Sequence, residues 1–247
     1  MLRAVTFDLW QTLILDTPEG LRRARADRVG GFQQVLSSHG ISVEVAAVDR
    51  AYDAAGARLE EVFWSSRRDV GSRGQVRFML ESLGVDGAVP PEGPLMDALD
   101  EAYCLPILSA LPIPNAGALE VLRTLSSRGL VLGLICNTGR TPGKMLRLIL
   151  ERLALAPYLR VLTFSDEVGL RKPHPEIFHR TVSALGVAPA EAAHVGDDVT
   201  TDVAGARGVG MRAIHLCHPT GVSQASDGAE AIPNLHALPG ALLPTAD

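Results

Sequence analysis

The chain has 247 residues, of which 47% are hydrophobic and 21% are charged, and its formal net charge is −5. This length suffices for one large α/β domain or for a core domain with a smaller insert, and the composition excludes a disordered chain. The acidic balance leaves no electrostatic footprint for nucleic acid or for an anionic membrane, so we expect neither as a partner.

The cysteines and the N-terminus bear on where the protein works. Cys104, Cys136 and Cys217 are few, odd in number and widely spaced, and they form neither a metal-type nor a redox-type pair. This usage is typical of a reducing cytoplasm. The chain begins almost at once on an apolar strand, which argues against a signal peptide, and no apolar run approaches the ~20 residues of a membrane span. We therefore predict a soluble, cytoplasmic protein that is a monomer or a homodimer.

Apolar runs of strand length alternate with helical patterns along most of the chain. The five runs lie around Leu2–Phe7, Leu130–Cys136, Arg160–Phe164, Ala192–Val195 and Met211–Leu216. The helical repeats between the later runs contain Leu119, Leu122 and Leu125, then Met145, Leu148 and Ile149, then Ile177, Val182 and Leu185. Thr141 with Pro142 is predicted to begin one helix, and Pro173 or Pro175 the next. The alternation predicts an α/β fold with a parallel sheet, right-handed crossovers and helices on both faces.

The stretch from Thr17 to Leu108 breaks this rhythm, because it has helical patterns but no convincing strand. We predict an inserted all-α subdomain at 17–108, with the core formed by 1–16 and 109–247. Four of its arginines either face a ligand or form a solvated helix face: Arg22, Arg23, Arg25 and Arg28. Near the C-terminus, residues 218–234 are predicted to be a loop and Leu235–Leu243 a short closing helix.

Polar side chains follow the first four apolar strands. They are Asp8 after the first strand, Asn137 and Thr138 after the second, Lys172 after the third, and Asp197 after the fourth, with Asp202 one helical turn later. In an open parallel sheet, ligands bind beyond the carboxyl ends of the strands. We therefore expect these groups to converge at one edge of the sheet.

Three carboxylates at one edge would repel one another and raise each other's pKa. A hard divalent cation removes that repulsion, and Mg²⁺ typically takes one or two carboxylates together with water and substrate oxygens. Lys172 would add positive charge beside a bound anion or a nucleophilic carboxylate. A carboxylate that attacks phosphorus gives an aspartyl-phosphate, which water then hydrolyses.

These residues resemble, in their order, the four motifs of the haloacid dehalogenase superfamily. They are Asp8 in the context FDxxxTL, Asn137 after the second strand, Lys172 in GLRKPHPEIF, and Asp197 with Asp202 in HVGDDVTTDVAGARGVGM. The resemblance extends from about Leu2 to Leu216. It implies a Rossmann-like core with a helical cap inserted after the first strand, and in this family the cap closes over the active site and helps to select the substrate.

The resemblance also implies roles for particular residues. Asp8 would be the nucleophile. Mg²⁺ would be held by Asp8, the backbone carbonyl of Trp10 and Asp197. Asp202 would support this site, and we count it among the predicted metal ligands. Asn137 and Lys172 would bind the phosphoryl group. Lys172 is thus both a catalytic and a substrate-binding candidate, and we add Thr12 and Thr138 to the predicted substrate-binding residues.

The chain departs from the family pattern beside the nucleophile. Phosphatases of the family carry a second aspartate two residues after the first, as general acid and base, whereas this chain has Trp10, followed by Gln11 in place of the usual glycine. Cys136 replaces the serine or threonine that ends the second strand. A missing acid–base group typically costs about 10²–10⁴-fold in rate.

Three functions therefore remain open. The three aspartates favour a Mg²⁺-dependent phosphatase that acts on a small phosphorylated metabolite through an aspartyl-phosphate. Trp10 favours a 2-haloacid dehalogenase-like hydrolase, because a halide leaves without a proton. The third candidate is a catalytically impaired phospho-ligand binder.

Under the phosphatase interpretation, Asp16, Asp198 or a cap residue would supply the missing acid. We interpret Cys136 and His194 as packed residues and His174 as structural.

Overall fold

The computed structural model describes residues 1–217 and 230–243. In chain order its strands are β1 (Ala4–Phe7), β2 (Ile14–Leu15), β3 (Ile113–Pro114), β4 (Val131–Cys136), β5 (Val161–Phe164), β6 (Ala192–Gly196), β7 (Arg212–Leu216) and β8 (Glu230–Ile232). Within the described part of the chain, six strands form a parallel sheet in the spatial order β5-β4-β1-β6-β7-β8. The predicted α/β class is confirmed, and each of the five predicted strands begins and ends within two residues of its predicted bounds.

The helices separate the strands as the sequence pattern predicts. In chain order they are α1 (Pro18–Ser38), α2 (Val45–Val62), α3 (Ser72–Leu83), α4 (Pro94–Cys104), α5 (Ala118–Ser127), α6 (Gly143–Arg152), α7 (Ser165–Val168), α8 (Pro175–Leu185), α9 (Gly205–Gly208) and α10 (Leu238–Leu242). A π-helical segment over Val199–Ala204 precedes α9.

Alternation along the central strands explains why helices cover both faces of the sheet. On β1, Ala4 packs in the apolar cluster that contains α8, whereas Val5 packs in the cluster that contains α5. On β4, Leu134 and Ile135 divide between the same two clusters. Successive side chains of a strand point to opposite faces, so a strand that is apolar at every position needs a helix on each side.

Four helices, α1 to α4, lie between β2 and β3. Helix α1 packs against α4, and α2 packs against α3. The short strands β2 and β3 pair antiparallel, with Leu15 opposite Ile113, so the two ends of this helical insert meet at the core. Two-residue strands are too short to give a periodic pattern, which is why the sequence did not reveal them. The all-helical character agrees with the expectation, and the division at 17–108 stays a prediction.

The predicted start of α6 is wrong by one residue. The helix begins at Gly143 with Pro142 at its N-cap, and Thr141 lies outside it. The Thr141 hydroxyl accepts a hydrogen bond from Arg28 Nη2 at 3.2 Å instead, so a tertiary contact uses the side chain expected to cap the helix. Helix α8 begins at Pro175, one of the two predicted starts.

The C-terminal region differs in part from its expected loop. Residues 218–229 lie outside the described residues, but Glu230–Ile232 forms β8 and pairs in parallel with β7, so the loop prediction was wrong there. The closing helix is confirmed as a 3₁₀ turn over Leu235–Ala237 followed by α10. None of the described helices combines the length and the apolar composition of a membrane-spanning segment.

Candidate active site

The carboxyl ends of β1 and β6 bring three carboxylates together. These strands pair in parallel with Phe7 opposite Val195, so the residues that follow them, Asp8 and Asp197, lie at the same edge. Oxygen atoms of Asp8, Asp197 and Asp202 all lie within 4.8 Å of one another. The structure thus gathers the three predicted aspartates at one point.

Lys172 lies inside this group of carboxylates. Its Nζ is 2.5 Å from Asp8 Oδ1 and 2.6 Å from Asp202 Oδ1, and its side chain is 1% exposed. A buried ammonium with two carboxylate partners is well compensated, whereas either carboxylate without the lysine would be a buried, unpaired charge. We call the three carboxylates, together with the lysine that pairs with two of them, the carboxylate cluster: Asp8, Lys172, Asp197 and Asp202.

Burial and mutual charge shift the pKa values in the carboxylate cluster in different directions. Burial raises the pKa of Asp8 to about 7, opposed by Lys172 and reinforced by Asp202. Burial alone would lower the pKa of Lys172, but the carboxylates of Asp202 and Asp8 raise it above its ordinary value. Burial would raise the pKa of Asp202, yet Lys172 and His194 hold it below its usual range. Lys172 and Asp202 are therefore an ion pair, and Asp8 is the carboxyl group that gains most from an additional cation.

Asp202 is held by groups from several elements. His194 Nε2 lies 3.1 Å from its Oδ1, and the backbone N–H of Asp198 donates to its Oδ2 at 3.1 Å. A Cβ at Gly196 would overlap the Asp202 carboxyl group, so glycine is needed for this close approach. His194 is buried, also contacts Thr6 Oγ1 at 2.8 Å, and has its pKa lowered chiefly by burial, in agreement with its interpretation as a packed residue.

The donor set of the carboxylate cluster fits Mg²⁺. Three carboxylates offer the hard oxygen atoms that this ion prefers, and one lysine among them leaves an excess of negative charge that a divalent cation would compensate. Thr12 is fully buried, and its hydroxyl donates to Asp197 Oδ1 at 3.5 Å, so it orients a candidate ligand. The roles of Thr12 in substrate binding and of the Trp10 carbonyl in metal binding stay predictions.

Asn137 fastens the loop after β4 to the segment that carries Lys172. Its Nδ2 donates to the Lys172 carbonyl at 3.0 Å, and its Oδ1 accepts from the Lys172 N–H at 2.7 Å. Thr138, the next residue, is fully buried, and its hydroxyl lies 3.3 Å from Asp69 Oδ2 and 3.1 Å from Ser165 Oγ. The Thr138 side chain thus faces the helical insert, and its predicted role in substrate binding is untested.

Asp69 ties the helical insert to the core beside these residues. Its Oδ2 accepts from Arg171 Nη1 at 2.6 Å and from Ser165 Oγ at 2.5 Å, and its side chain is 0% exposed. Trp64 Nε1 donates to its other oxygen at 3.1 Å. Sequence reasoning missed Asp69, because a single aspartate among helical patterns carries no signal before the chain is folded.

A cavity of about 400 Å³ lies between the core loops and the helical insert. Its lining residues are Trp10, Asp16, Leu21, Ala24, Arg25, Arg28, Tyr52, Ile107, Asn137, Gly139, Arg140 and Thr141. Of the four arginines noted in the sequence, Arg25 and Arg28 line this cavity, whereas Arg22 and Arg23 are exposed. Arg140 was missed, although its place three residues after Asn137 was a usable signal.

The two candidate replacement acids lie in different surroundings. Asp16 lines the cavity, and burial raises its pKa. The Asp198 carboxylate accepts hydrogen bonds from the N–H groups of Thr200 and Thr201 at 2.8 and 2.6 Å, as an N-cap of the following turn. Cys136 is fully buried, and burial raises the pKa of its thiol well above the usual range, in agreement with a packed, unreactive side chain.

Comparisons with known proteins identify the family. A family model described as haloacid dehalogenase-like hydrolase matches residues 2–210. The mouse haloacid dehalogenase-like hydrolase domain-containing protein 3 is 30% identical, and the alignment covers 100% of this chain and 94% of the mouse protein. A ribulose-1,5-bisphosphate 5-phosphatase from Halopiger xanaduensis is 29% identical over 76% of this chain and 81% of its own length.

A solved structure shares the fold. The 2-haloacid dehalogenase from Pseudomonas syringae pv. Tomato DC3000 superimposes with a TM-score of 0.68 at 25% identity, covering 98% of each chain. The match of the family model over most of the chain agrees with the order of Asp8, Asn137, Lys172 and Asp197 at one edge of a parallel sheet. The chain therefore belongs to the haloacid dehalogenase-like hydrolases.

Proposed function

We propose that this protein is a Mg²⁺-dependent phosphatase that acts on a small phosphorylated metabolite. The observation that carries the proposal is the carboxylate cluster, in which three carboxylates and one lysine leave net negative charge at a buried point. Displacement of a halide needs no metal ion, and it gives no reason for Asp197 to join Asp8 and Asp202. The relative from Halopiger xanaduensis is a phosphatase, which supports the same choice.

The residues of the chain divide the reaction between them. An oxygen of Asp8 attacks phosphorus, the ester P–O bond breaks, and the alcohol leaves with a proton. Water then attacks the aspartyl-phosphate, the bond between phosphorus and Asp8 breaks, and inorganic phosphate and the free carboxylate are formed. Lys172 holds Asp8 Oδ1 at 2.5 Å and balances negative charge at the reacting centre. A bound Mg²⁺, for which Asp8, Asp197 and Asp202 are the candidate ligands, supplies positive charge that stabilises the phosphoryl oxygens.

Asp16 is the acid–base group of this proposal. Trp10 occupies the position of the missing aspartate and lines the cavity together with Asp16. The raised pKa of Asp16 favours a carboxyl group that holds a proton for the leaving oxygen. Asp198 is less suitable, because its carboxylate already accepts hydrogen bonds from the N–H groups of Thr200 and Thr201, and it is not among the residues that line the cavity.

The proposal is tested by assaying the purified protein with p-nitrophenyl phosphate, acetyl phosphate and 2-chloropropionate, each with Mg²⁺ or EDTA, with Asp8→Asn as the blank. We expect phosphate release that requires Mg²⁺ and disappears in the Asp8→Asn variant. Chloride release that EDTA does not affect would replace the proposal by a dehalogenase. Absence of turnover, with binding of vanadate, would support the impaired phospho-ligand binder.

The role of Asp16 is tested by changing the leaving group. For Asp16→Asn we expect kcat/KM for glycerol 3-phosphate, whose alkoxide needs a proton, to fall at least tenfold more than for p-nitrophenyl phosphate, whose phenolate does not. Asp27→Asn, at an exposed position of α1, is the matched control. Equal losses on both substrates would remove Asp16 from proton transfer.

A further inference from the structure

Two arginines of the cavity form no ion pair with a described carboxylate, although Arg140 is close enough to Asp53 to help lower the pKa of that group. Arg28, on α1, is 5% exposed, and its guanidinium donates to the Tyr103 carbonyl, the Tyr52 hydroxyl and the Thr141 hydroxyl, which are all uncharged. Arg140, on the core loop after β4, donates through Nη2 to the Tyr52 carbonyl and stacks on the Tyr52 ring, with Cζ 4.0 Å from its centroid. In residues 1–217 and 230–243, no carboxylate oxygen lies within ion-pair distance of either guanidinium.

Arg140 also has a donor without an acceptor. Its Nη1 is buried and has no hydrogen-bond partner among the described residues. Buried N–H groups are almost always satisfied, and buried cations are almost always paired, because both are costly to remove from water. Arg140 lines the cavity, so an anion bound there would pair with the charge of its guanidinium.

Arg25, which lines the same cavity, differs from these two arginines because carboxylates compensate its charge. Its guanidinium is bound by Asp53 through two hydrogen bonds of 2.7 and 2.8 Å and by Asp49 at 2.8 Å. Asp53 is largely exposed on the solvent side, where Arg25 holds it. Arg25 therefore needs no ligand. Asp16 is the carboxyl group that lines the cavity itself, and Arg28 and Arg140 are the two lining arginines that form no ion pair among the described residues.

Helix α2 is shaped to admit Arg140. Gly56 lies in its interior, where glycine destabilises a helix by about 1 kcal/mol relative to alanine. A Cβ at this position would lie 3.0 Å from Arg140 Nη2 and 3.4 Å from Cζ. The glycine leaves space for the guanidinium against the backbone of the insert.

We propose that Arg140, with Arg28 beside it, forms a subsite for a second anionic group of the substrate, which is therefore a small phosphomonoester that also carries a carboxylate or a second phosphate. Asn137 lines the cavity and is hydrogen-bonded to the Lys172 backbone, and Trp10, which also lines it, is two residues from Asp8, so the cavity is placed to hold the rest of a substrate whose phosphoryl group lies at Asp8. Guanidinium groups bind both anions through paired N–H donors, so the two sources share one chemistry. This inference rests on the proposed phosphatase function and specifies its substrate class.

The test measures binding rather than turnover, so it does not depend on catalytic rate. Full-length Asp8→Asn protein with Mg²⁺ is titrated calorimetrically with three matched three-carbon esters: glycerol 3-phosphate, 3-phosphoglycerate and glycerol 1,3-bisphosphate. We expect at least one of the two esters that carry a second anion to bind at least tenfold tighter than glycerol 3-phosphate. The one that does so distinguishes a carboxylate from a phosphate subsite.

Variants of Arg140 assign the effect to this residue. Arg140→Gln in the Asp8→Asn protein should bring the affinity ratio close to one, and Arg140→Lys, which keeps the charge but loses the planar fork, should give an intermediate ratio. Arg22→Gln, at an exposed position of α1, should leave the ratio as it was. Equal affinities for the three esters, or an equal ratio in the Arg140 variants, would overturn the subsite. If the subsite binds as expected while the wild-type protein releases no phosphate, the phosphatase proposal alone fails.

Discussion

The carboxylate cluster and the arginine-lined cavity differ in how their buried charges are compensated. In the cluster, Lys172 lies within 2.6 Å of two carboxylates, and Asp202 is bound further by His194 and by a backbone N–H. At the cavity, Arg28 donates only to uncharged acceptors among the described residues, and Arg140 forms no ion pair there. The first region is assembled before substrate arrives, and the second is completed by what binds.

The two regions differ in this way because they are built from different elements of the fold. The carboxylate cluster is built on the ends of adjacent parallel strands, whose positions follow from the hydrogen bonds of the sheet. The cavity lies where the helical insert meets the core, so its charges come from two parts of the chain. We propose that the chemistry takes place at the strand ends and that the substrate is selected at the junction.

The largest expected effect comes from removing the lysine of the cluster. For Lys172→Met we expect kcat with p-nitrophenyl phosphate to fall at least ~10³-fold, and the free energy of unfolding to drop by about 3–5 kcal/mol, because two buried carboxylates lose their partner. The measurements are steady-state kinetics and urea denaturation. Arg180→Met is the matched control. Arg180 is 53% exposed and its partner Glu176 is 47% exposed, so its loss should cost at most about 1 kcal/mol. Similar results for both variants would contradict the assignment.

The next effect concerns the metal. In wild-type protein, Mg²⁺ at a hundredfold excess over its Kd should stabilise the fold by about 2.7 kcal/mol, seen as a rise in Tm. Asp197→Asn should abolish this rise. Asp198→Asn should keep it, because Asp198 caps the following turn and contributes its backbone N–H, rather than its carboxylate, to the cluster. A Tm that does not respond to Mg²⁺ in the wild-type protein would count against the metal site.

A smaller effect is expected at the junction between the insert and the core. Asp69→Asn leaves Arg171 without its carboxylate and weakens the hydrogen bonds to Ser165 and Thr138. We expect a loss of about 2–3 kcal/mol in the free energy of unfolding, since the pair is buried but Arg171 keeps its bond to the Thr138 carbonyl. Asp97→Asn, which breaks an exposed pair with Arg73, should change stability by at most about 1 kcal/mol. Urea denaturation of both variants measures the difference.

The smallest expected effect comes from a substitution at Gly56, the residue that leaves space for the Arg140 guanidinium. Gly56→Ala should lower the affinity of the Asp8→Asn protein for the preferred three-carbon ester by about threefold, because the new methyl group crowds the guanidinium at 3.0 Å. The free energy of unfolding should stay equal or rise by up to about 1 kcal/mol. Gly30→Ala on α1, where a Cβ meets nothing within 4 Å, should leave the affinity unchanged. Unchanged affinity in both alanine variants would mean that Arg140 does not need its present position.

Much of the fold follows from local patterns, and the errors come from strands too short to give a pattern and from one tertiary contact. The strands β1, β4, β5, β6 and β7 consist mainly of apolar residues, which is what burial on both faces requires. The strands β2, β3 and β8 have two or three residues each and give no pattern. Thr141 has the side chain of an N-cap, but a buried arginine from a distant helix takes its hydroxyl instead.

The amino-acid sequence by itself determined the α/β class and the identity of the residues at the strand ends. Alternating apolar runs dictate a parallel sheet, and the carboxyl ends of parallel strands share one edge, so Asp8, Lys172, Asp197 and Asp202 were predictable as a group. Only the tertiary structure decided what Asp69, Arg28 and Arg140 do. Their roles depend on the partners that each side chain finds or lacks where the helical insert packs against the core. The spacing of residues along the chain does not predict that contact.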